Sequence, residues 1–206
     1  MRAGVTGAAK QAAIRADGVV QVLRVCAVVS VVASVASPNP LFGTAGVDPL
    51  LSKLAGLAQS VVFVVAGLWW LQWFQPLYTA VRNAGRARFG SGRTWFWAWV
   101  LPVVNLFLPM RLVRDVWRAA DPPGERSPLP AVIRWWWVLW LGAGIFPALS
   151  LAFGDLGGRA GAAVAYVVWR LLYVGAAVLA MRTVRILTER VLLLAKQARA
   201  ETPVPA

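Results

Sequence analysis

Long apolar runs alternate along this chain with short, charged connections. Four runs reach the length of a bilayer crossing, at about 19–36, 55–80, 135–154 and 160–181. Each is continuous rather than alternating apolar with polar, which predicts helices and not barrel strands. A fifth run, Thr94–Met110, differs: it carries no charge, holds Trp95, Trp97 and Trp99, and is cut by Pro102 and Pro109. As an ideal helix Trp95–Leu108 would reach about 21 Å, short of a hydrocarbon core of about 30 Å. Pro102 would also interrupt its hydrogen-bond ladder. The pattern therefore predicts a re-entrant or interfacial segment over 94–110.

Residues 109–120 follow with helical amphipathicity. Pro109 suits the first helical position, Arg111, Arg114 and Arg118 share one face, and Leu112, Val113, Val116 and Trp117 lie largely on the other. That is the pattern of a helix lying in a membrane interface, ended by Asp121-Pro122-Pro123-Gly124. Pro- and Gly-rich connections are read at Ser37–Lys53 and Phe89–Gly92, and Pro147 reads as a kink. Residues 1–17 form a basic N-terminal tail, helical from Ala8. Residues 18–199 form one helical membrane domain, with the last helix reaching about Arg199, and 200–206 form a loose C-terminal tail. The expected fold class is an all-α integral membrane protein of four transmembrane helices.

Composition agrees with that class and charge orients it. The 206 residues are 59% hydrophobic and 14% charged, too little charge to cover a water-soluble surface, and mean hydropathy is +0.64. Net charge is +13. With 94–110 not crossing, most of the basic residues fall on one side, leaving Lys53 and Arg159 opposite and Arg24 and Arg170 inside spans. The positive-inside rule then places both termini in the cytoplasm of a cell (inner) membrane, multi-pass. Eleven of the twelve tryptophans gather toward that same side, as an interfacial aromatic belt would, with Trp169 near the midplane. The charge points to anionic lipid headgroups and not to nucleic acid. Arginine supplies 18 of the 21 basic residues, consistent with a GC-rich bacterial genome.

The N-terminal run also resembles a secretory signal peptide, with small residues Ser34 and Ala36 before Ser37-Pro38. Its length and Arg24, which would snorkel to the inner interface, favour an uncleaved span. One cysteine, Cys26, and no histidine exclude an internal disulfide and a Cys/His metal site. Cys26 reads as a small packing residue. The eight carboxylates include none within a span, and there is no serine-nucleophile or phosphate-loop motif, so neither an enzyme nor a cofactor is expected. Catalysis at the inner interface would have to use Asp115 and Asp121.

Asn105 lies between two prolines, where it either caps and cross-links a bend or contacts a ligand. Arg170 sits about ten residues from either end of the fourth span, too deep to snorkel cheaply. With no acid in any span, its partners are sought among Asn105, Gln59, Gln72, Gln75, Ser60, Ser150, Tyr166, freed carbonyls or an anion. Tyr78, Arg82 and Arg86 share a helical face, and Tyr78, Arg82 and Asn83 are set to meet Asp115. Pro102, Pro109, Asp115 and Trp99 would then clamp the broken segment in place, or the same basic groups would hold a lipid headgroup.

These residues carry a family resemblance. Tyr78-x-x-x-Arg82-Asn83, Trp97-x-Trp99-x-x-Pro102-Val103-x-Asn105-Leu106-x-x-Pro109, Asp115-x-Trp117, Asp121-Pro122 and Trp135-Trp136 together resemble DUF4328, a bacterial membrane family of unknown function. The likeness runs over roughly Val61–Gln197 and leaves the N-terminal span outside. It implies the architecture and no activity.

The leading functional expectation is a non-enzymatic membrane module. Its basic, Trp-rich inner face would bind lipid headgroups or a protein partner, a second copy included, through Asn105, Arg170, Tyr78, Arg82, Arg111, Arg114 and Arg118. The alternatives are a small transporter or channel-like protein with a polar site at Arg170 and Asn105, and an interfacial enzyme.

Overall fold

The computed structural model describes residues 2–36, 48–87, 94–101, 104–121 and 125–200. Every regular element among them is helical: α1 (Arg2–Ala36), α2 (Pro49–Asn83), α3 (Thr94–Val100), a 3₁₀ turn (Val104–Leu106), α4 (Leu108–Ala119) and α5 (Ala131–Ala200). The connections expected around Pro38, Phe89–Gly92 and Pro122–Gly124 fall largely or wholly outside the described residues, as do Pro102, the side chain of Pro147 and residues 201–206.

Among the described residues, three helical stretches are long and apolar enough to cross a membrane: Ala3–Ser34, Pro49–Asn83 and Ala160–Ala200. Ala131–Phe146 is a shorter apolar helix. α1 and α2, at 35 residues each, extend about 52 Å, well beyond a hydrocarbon core of about 30 Å. α5 covers 70 residues but is broken at Gly158, whose φ of 55° and ψ of −154° lie in a region open essentially to glycine. The break divides it into arms 131–157 and 159–200.

The chain divides into two compact units. One, the apolar unit, comprises Gln21–Gly67 and Ala131–Met181; the other, the basic unit, comprises Met1–Val20, Leu68–Pro130 and Arg182–Ala206.

In the apolar unit the two arms of α5 form an antiparallel hairpin. Trp169 Nε1 donates to Ala143 O (3.1 Å), Gly142 lies against Leu172, and Gly175 against Leu139. The partners move apart in sequence symmetrically about Gly158. α1 runs antiparallel to the second arm, since Cys26, Ser30 and Ser34 engage Tyr173, Arg170 and Tyr166 in reverse order. α2 lies alongside, with Phe63 stacked on Trp140 at 5.8 Å. The surface is inverted relative to a protein in water: Val28, Val32, Leu54, Leu57, Val64, Val164 and Leu171 are mostly exposed while Ser30 is fully buried. Such a surface suits lipid as its solvent.

The basic unit has the opposite distribution. Val5, Ala9, Ala12 and Val19 of α1 are buried at helical spacing, with Trp73, Phe74, Leu77 and Val81 of α2, and Leu112, Val113 and Val116 of α4. Val184, Leu187, Val191 and Leu194 of α5 complete the core. Residues 2–17, expected as a tail helical from Ala8, are helical from Arg2, and their small side chains form a packing face. Alanine and glycine at i, i+4 spacing let a neighbouring helix approach closely without forming an apolar run. α1 and α2 are antiparallel here, with Gly4 against Asn83 and Gly18 beneath the Trp69 ring.

Candidate functional site

The segment from Thr94 onward folds as a short helix, a turn and a second helix. α3 has seven residues, about 10 Å, far less than a crossing. Its Ala98 is buried, and Trp99 packs edge-on against Trp70 (5.6 Å) and Phe74 (5.5 Å). Phe96, Trp97, Leu101, Leu106 and Phe107 stand exposed. Asn105 N donates to Leu101 O (2.7 Å) and Phe107 N to Val104 O (3.2 Å), which rounds the bend. The Asn105 Oδ1 is shielded from solvent and has no hydrogen-bond partner among the described residues. Asn105 thus rounds the bend through its backbone N–H. Pro109 is buried at the second position of α4, one residue later than the amphipathic pattern implied.

α4 presents Arg111 and Arg114 outward and Arg118 half-buried, while Leu112, Val113 and Val116 are fully buried. The apolar face that read as lipid-facing lies instead inside the protein. A 3.6-residue pattern specifies that a face is covered, not what covers it.

The C-terminal end of α4 is held by long side chains from other elements. Its last carbonyls have no helical donors and carry the negative end of the helix dipole. Arg190 Nε donates to Trp117 O (3.0 Å), Arg86 Nη1 to Ala119 O and to Asp121 O (3.2 Å), and Gln197 Nε2 to Ala120 O (3.2 Å). Arg190 also pairs with the buried Asp121 carboxylate, reaches Ser127 Oγ (3.3 Å), and lies over the Trp117 ring at 4.4 Å. Ser127 N donates to Asp121 Oδ2 (3.1 Å). Arg86 is aimed by the end of α2. Gly85, at φ 71°, allows Gly85 N to bond Arg82 O and Arg86 N to bond Val81 O, a glycine-terminated helix end.

The end of α4 is thus clamped by residues beyond those anticipated, while of the anticipated set Trp99 packs on Trp70 and Phe74 of α2 and Pro109 is buried. Arg82 is exposed, Asp115 is buried within α4, and Arg86 with Arg190 and Asp121 makes the described attachment. Tyr78 is buried and stacks on Phe74 at 6.1 Å. The signals for Arg86 and Asp121 were present in the sequence: glycine one residue before the arginine, and an acid where a helix ends.

A second attachment in the basic unit follows from one proline. Pro76 sits inside α2 and has no N–H to offer the carbonyl of Gln72, four residues earlier. Arg15 Nη1 donates to that carbonyl at 2.6 Å.

The apolar unit contains a polar cluster around Ser30. Ser30 Oγ donates to Cys26 O (2.7 Å) and accepts from Gln59 Nε2 (2.9 Å). Ser30 O accepts from Ser34 Oγ (2.6 Å) and from Arg170 Nη1 (3.3 Å). Gln59 Nε2 also reaches Tyr173 Oη (3.2 Å), which is hydrogen-bonded with Cys26 Sγ (3.1 Å). The Arg170 guanidinium carbon lies 4.5 Å from the Trp169 ring centroid and 5.1 Å from that of Tyr166. Tyr166 and Gln59 were among the partners anticipated for Arg170: Tyr166 meets it through its ring, and Gln59 bonds Ser30 and Tyr173 instead. The carbonyl that holds Arg170, and the role of Cys26 beyond packing, were not anticipated. Positions 26, 30 and 34 share one helical face, a signal hidden because serine and cysteine raise little contrast in an apolar run. Asn105 belongs to the basic unit and Arg170 to the apolar unit.

The class of protein so defined is all-helical, with helices long and apolar enough to cross a membrane and a basic, aromatic unit built on the same helices. The chain belongs to the DUF4328 family, a domain of unknown function whose defining pattern matches residues 40–189. The match includes α2 to α4 and most of α5, and with them Asn105, Arg111, Asp121 and Arg170; α1 lies outside it. No curated protein and no solved structure matches the chain.

Proposed function

We propose that this protein is a non-enzymatic, multi-pass membrane module of a bacterial inner membrane, whose basic unit binds anionic lipid headgroups. The observation that carries the reading is the exposure of Arg111 and Arg114 on α4 directly after an exposed aromatic and aliphatic stretch, Phe96, Trp97, Leu101, Leu106 and Phe107. Aromatic side chains favour the headgroup level, and each arginine near an anionic surface contributes about 1 kcal/mol. On this reading the segment 94–107 lies in the interface as a shallow re-entrant wedge. The fully buried apolar face of α4 leaves charge, and not helix insertion, as that helix's contribution.

Four crossings follow from counting the two arms of α5 separately across the Gly158 break, with α1 and α2. The first and last stretches of the chain belong to the same basic unit, which supports an even number of crossings and termini on one side. The density of arginine in that unit favours the cytoplasmic side by the positive-inside rule. Asp121, one of the two acids an interfacial enzyme would need, is engaged by Arg190 and by Ser127 N–H, which favours a structural role for it.

The test uses the full chain in nanodiscs, comparing exchange of spin-labelled phosphatidylglycerol with phosphatidylcholine at the protein boundary. Preference for the anionic lipid should fall about fivefold for each of Arg111→Ala and Arg114→Ala, and should weaken with added salt. A preference that is indifferent to both substitutions and to salt would overturn the reading.

A further inference from the structure

We propose that the apolar unit carries a second, separate binding site, at Arg170, for the oxyanion of a lipid-borne ligand such as a fatty-acid carboxylate. The proposal rests on an uncompensated charge. A guanidinium stays protonated in any protein environment, so burial cannot neutralise it as it would a lysine or a carboxylate. Within its unit Arg170 has one backbone carbonyl, Ser30 O at 3.3 Å, and the faces of Trp169 and Tyr166. Its Nε is shielded from solvent without a partner, and no described carboxylate pairs with it. Asp48, the acid of this unit whose side chain is described, is exposed and accepts from Leu50 N (2.7 Å) at the start of α2. A charge among apolar side chains is costly until an opposite charge or a full set of acceptors meets it.

The surroundings select the kind of anion. Arg170 is half-buried, and its exposed neighbours along the same helix are Val164, Val167 and Leu171. An anion arriving across that surface does best attached to a hydrocarbon chain, which the valine and leucine side chains would contact while the oxyanion meets the guanidinium. The aromatic faces hold the guanidinium plane, and a planar fork suits a two-oxygen acceptor. This site shares no residue with the exposed arginines of α4, so either proposal can fail alone.

Thermal unfolding of the purified full chain in detergent tests it, with oleate, methyl oleate and inorganic phosphate as probes. Oleate should raise the unfolding midpoint in a concentration-dependent way, and methyl oleate and phosphate should leave it unchanged. Arg170→Gln should abolish the oleate shift while the unliganded variant unfolds no earlier than wild type, because the unpaired charge has been removed. Equal shifts from oleate and methyl oleate in the wild type, which needs no variant to fold, would overturn the proposal. So would an oleate shift preserved in Arg170→Gln. A shift produced by phosphate alone would overturn the lipid-borne assignment and make this a site for a soluble ion.

Discussion

Pro76 and Arg15 allow a prediction in which removing one residue makes the other dispensable. Pro76 deprives the Gln72 carbonyl of its helical donor, and the proline ring crowds that carbonyl outward. Arg15 from α1 supplies the missing bond at 2.6 Å. A hydrogen bond from a charged donor contributes about 1.5–3 kcal/mol, and this one is at an exposed edge, so Arg15→Ala should destabilise the protein by about 1.5 kcal/mol. Pro76→Ala restores an N–H at position 76, which closes the α-helical bond to Gln72 O. An interior proline disfavours a helix by about 3 kcal/mol relative to alanine, offset here by about 1 kcal/mol for the packing lost when a buried ring is trimmed. The single variant should therefore gain about 1–2 kcal/mol. In the Pro76→Ala background Arg15→Ala should cost under about 0.5 kcal/mol, giving a coupling near 1 kcal/mol. Unfolding in mixed micelles by increasing SDS, followed by tryptophan fluorescence, measures all four proteins. If Arg15→Ala costs the same in both backgrounds, the carbonyl freed by Pro76 is not what Arg15 serves.

Three further outcomes are expected. Arg190→Met should destabilise by about 3–5 kcal/mol, since it leaves the Asp121 carboxylate buried without its cation, and adding Asp121→Asn should recover a large part of the loss in the same unfolding assay. At Gly158, alanine must adopt a backbone conformation open essentially to glycine and should lose about 1–3 kcal/mol. Alanine at Gly161, helical and with open space around it, should gain about 0.5–1 kcal/mol, so the two substitutions should shift the SDS midpoint in opposite directions. Topology reporters fused after Gly92 and after Gly124 should both report the cytoplasm; opposite signals would mean that 94–110 crosses the membrane.

Local pattern carried much of the architecture. Continuous apolar runs, charge gathered mainly at their ends and the glycine at position 85 made the helices and several of their limits legible, including the end of α2 near Gly85 and of α5 near Arg199. The two prolines and three tryptophans of 94–110 marked a place where no long helix forms, and α3 is seven residues long. The family resemblance was legible too, because a proline, an amide and a second proline at fixed spacing form a linear motif that can be read without the fold.

Partnership was not legible, for a physical reason. Amphipathicity says which side of a helix avoids water, and lipid and protein interior satisfy that demand equally. Only the tertiary structure decides that α4 buries Leu112, Val113 and Val116 in protein, and that the alanine-rich start of α1 belongs to a core. A charged side chain likewise finds its acceptor by three-dimensional reach. Arg86 rather than Arg82 holds the end of α4, and Arg15 answers a carbonyl freed 57 residues away. Arg170, conspicuous in the sequence as a charge within an apolar run, receives its one carbonyl from a serine 140 residues earlier. The sequence by itself determined where helices form and which residues are out of place in them; contacts between distant helices determined what each of those residues meets.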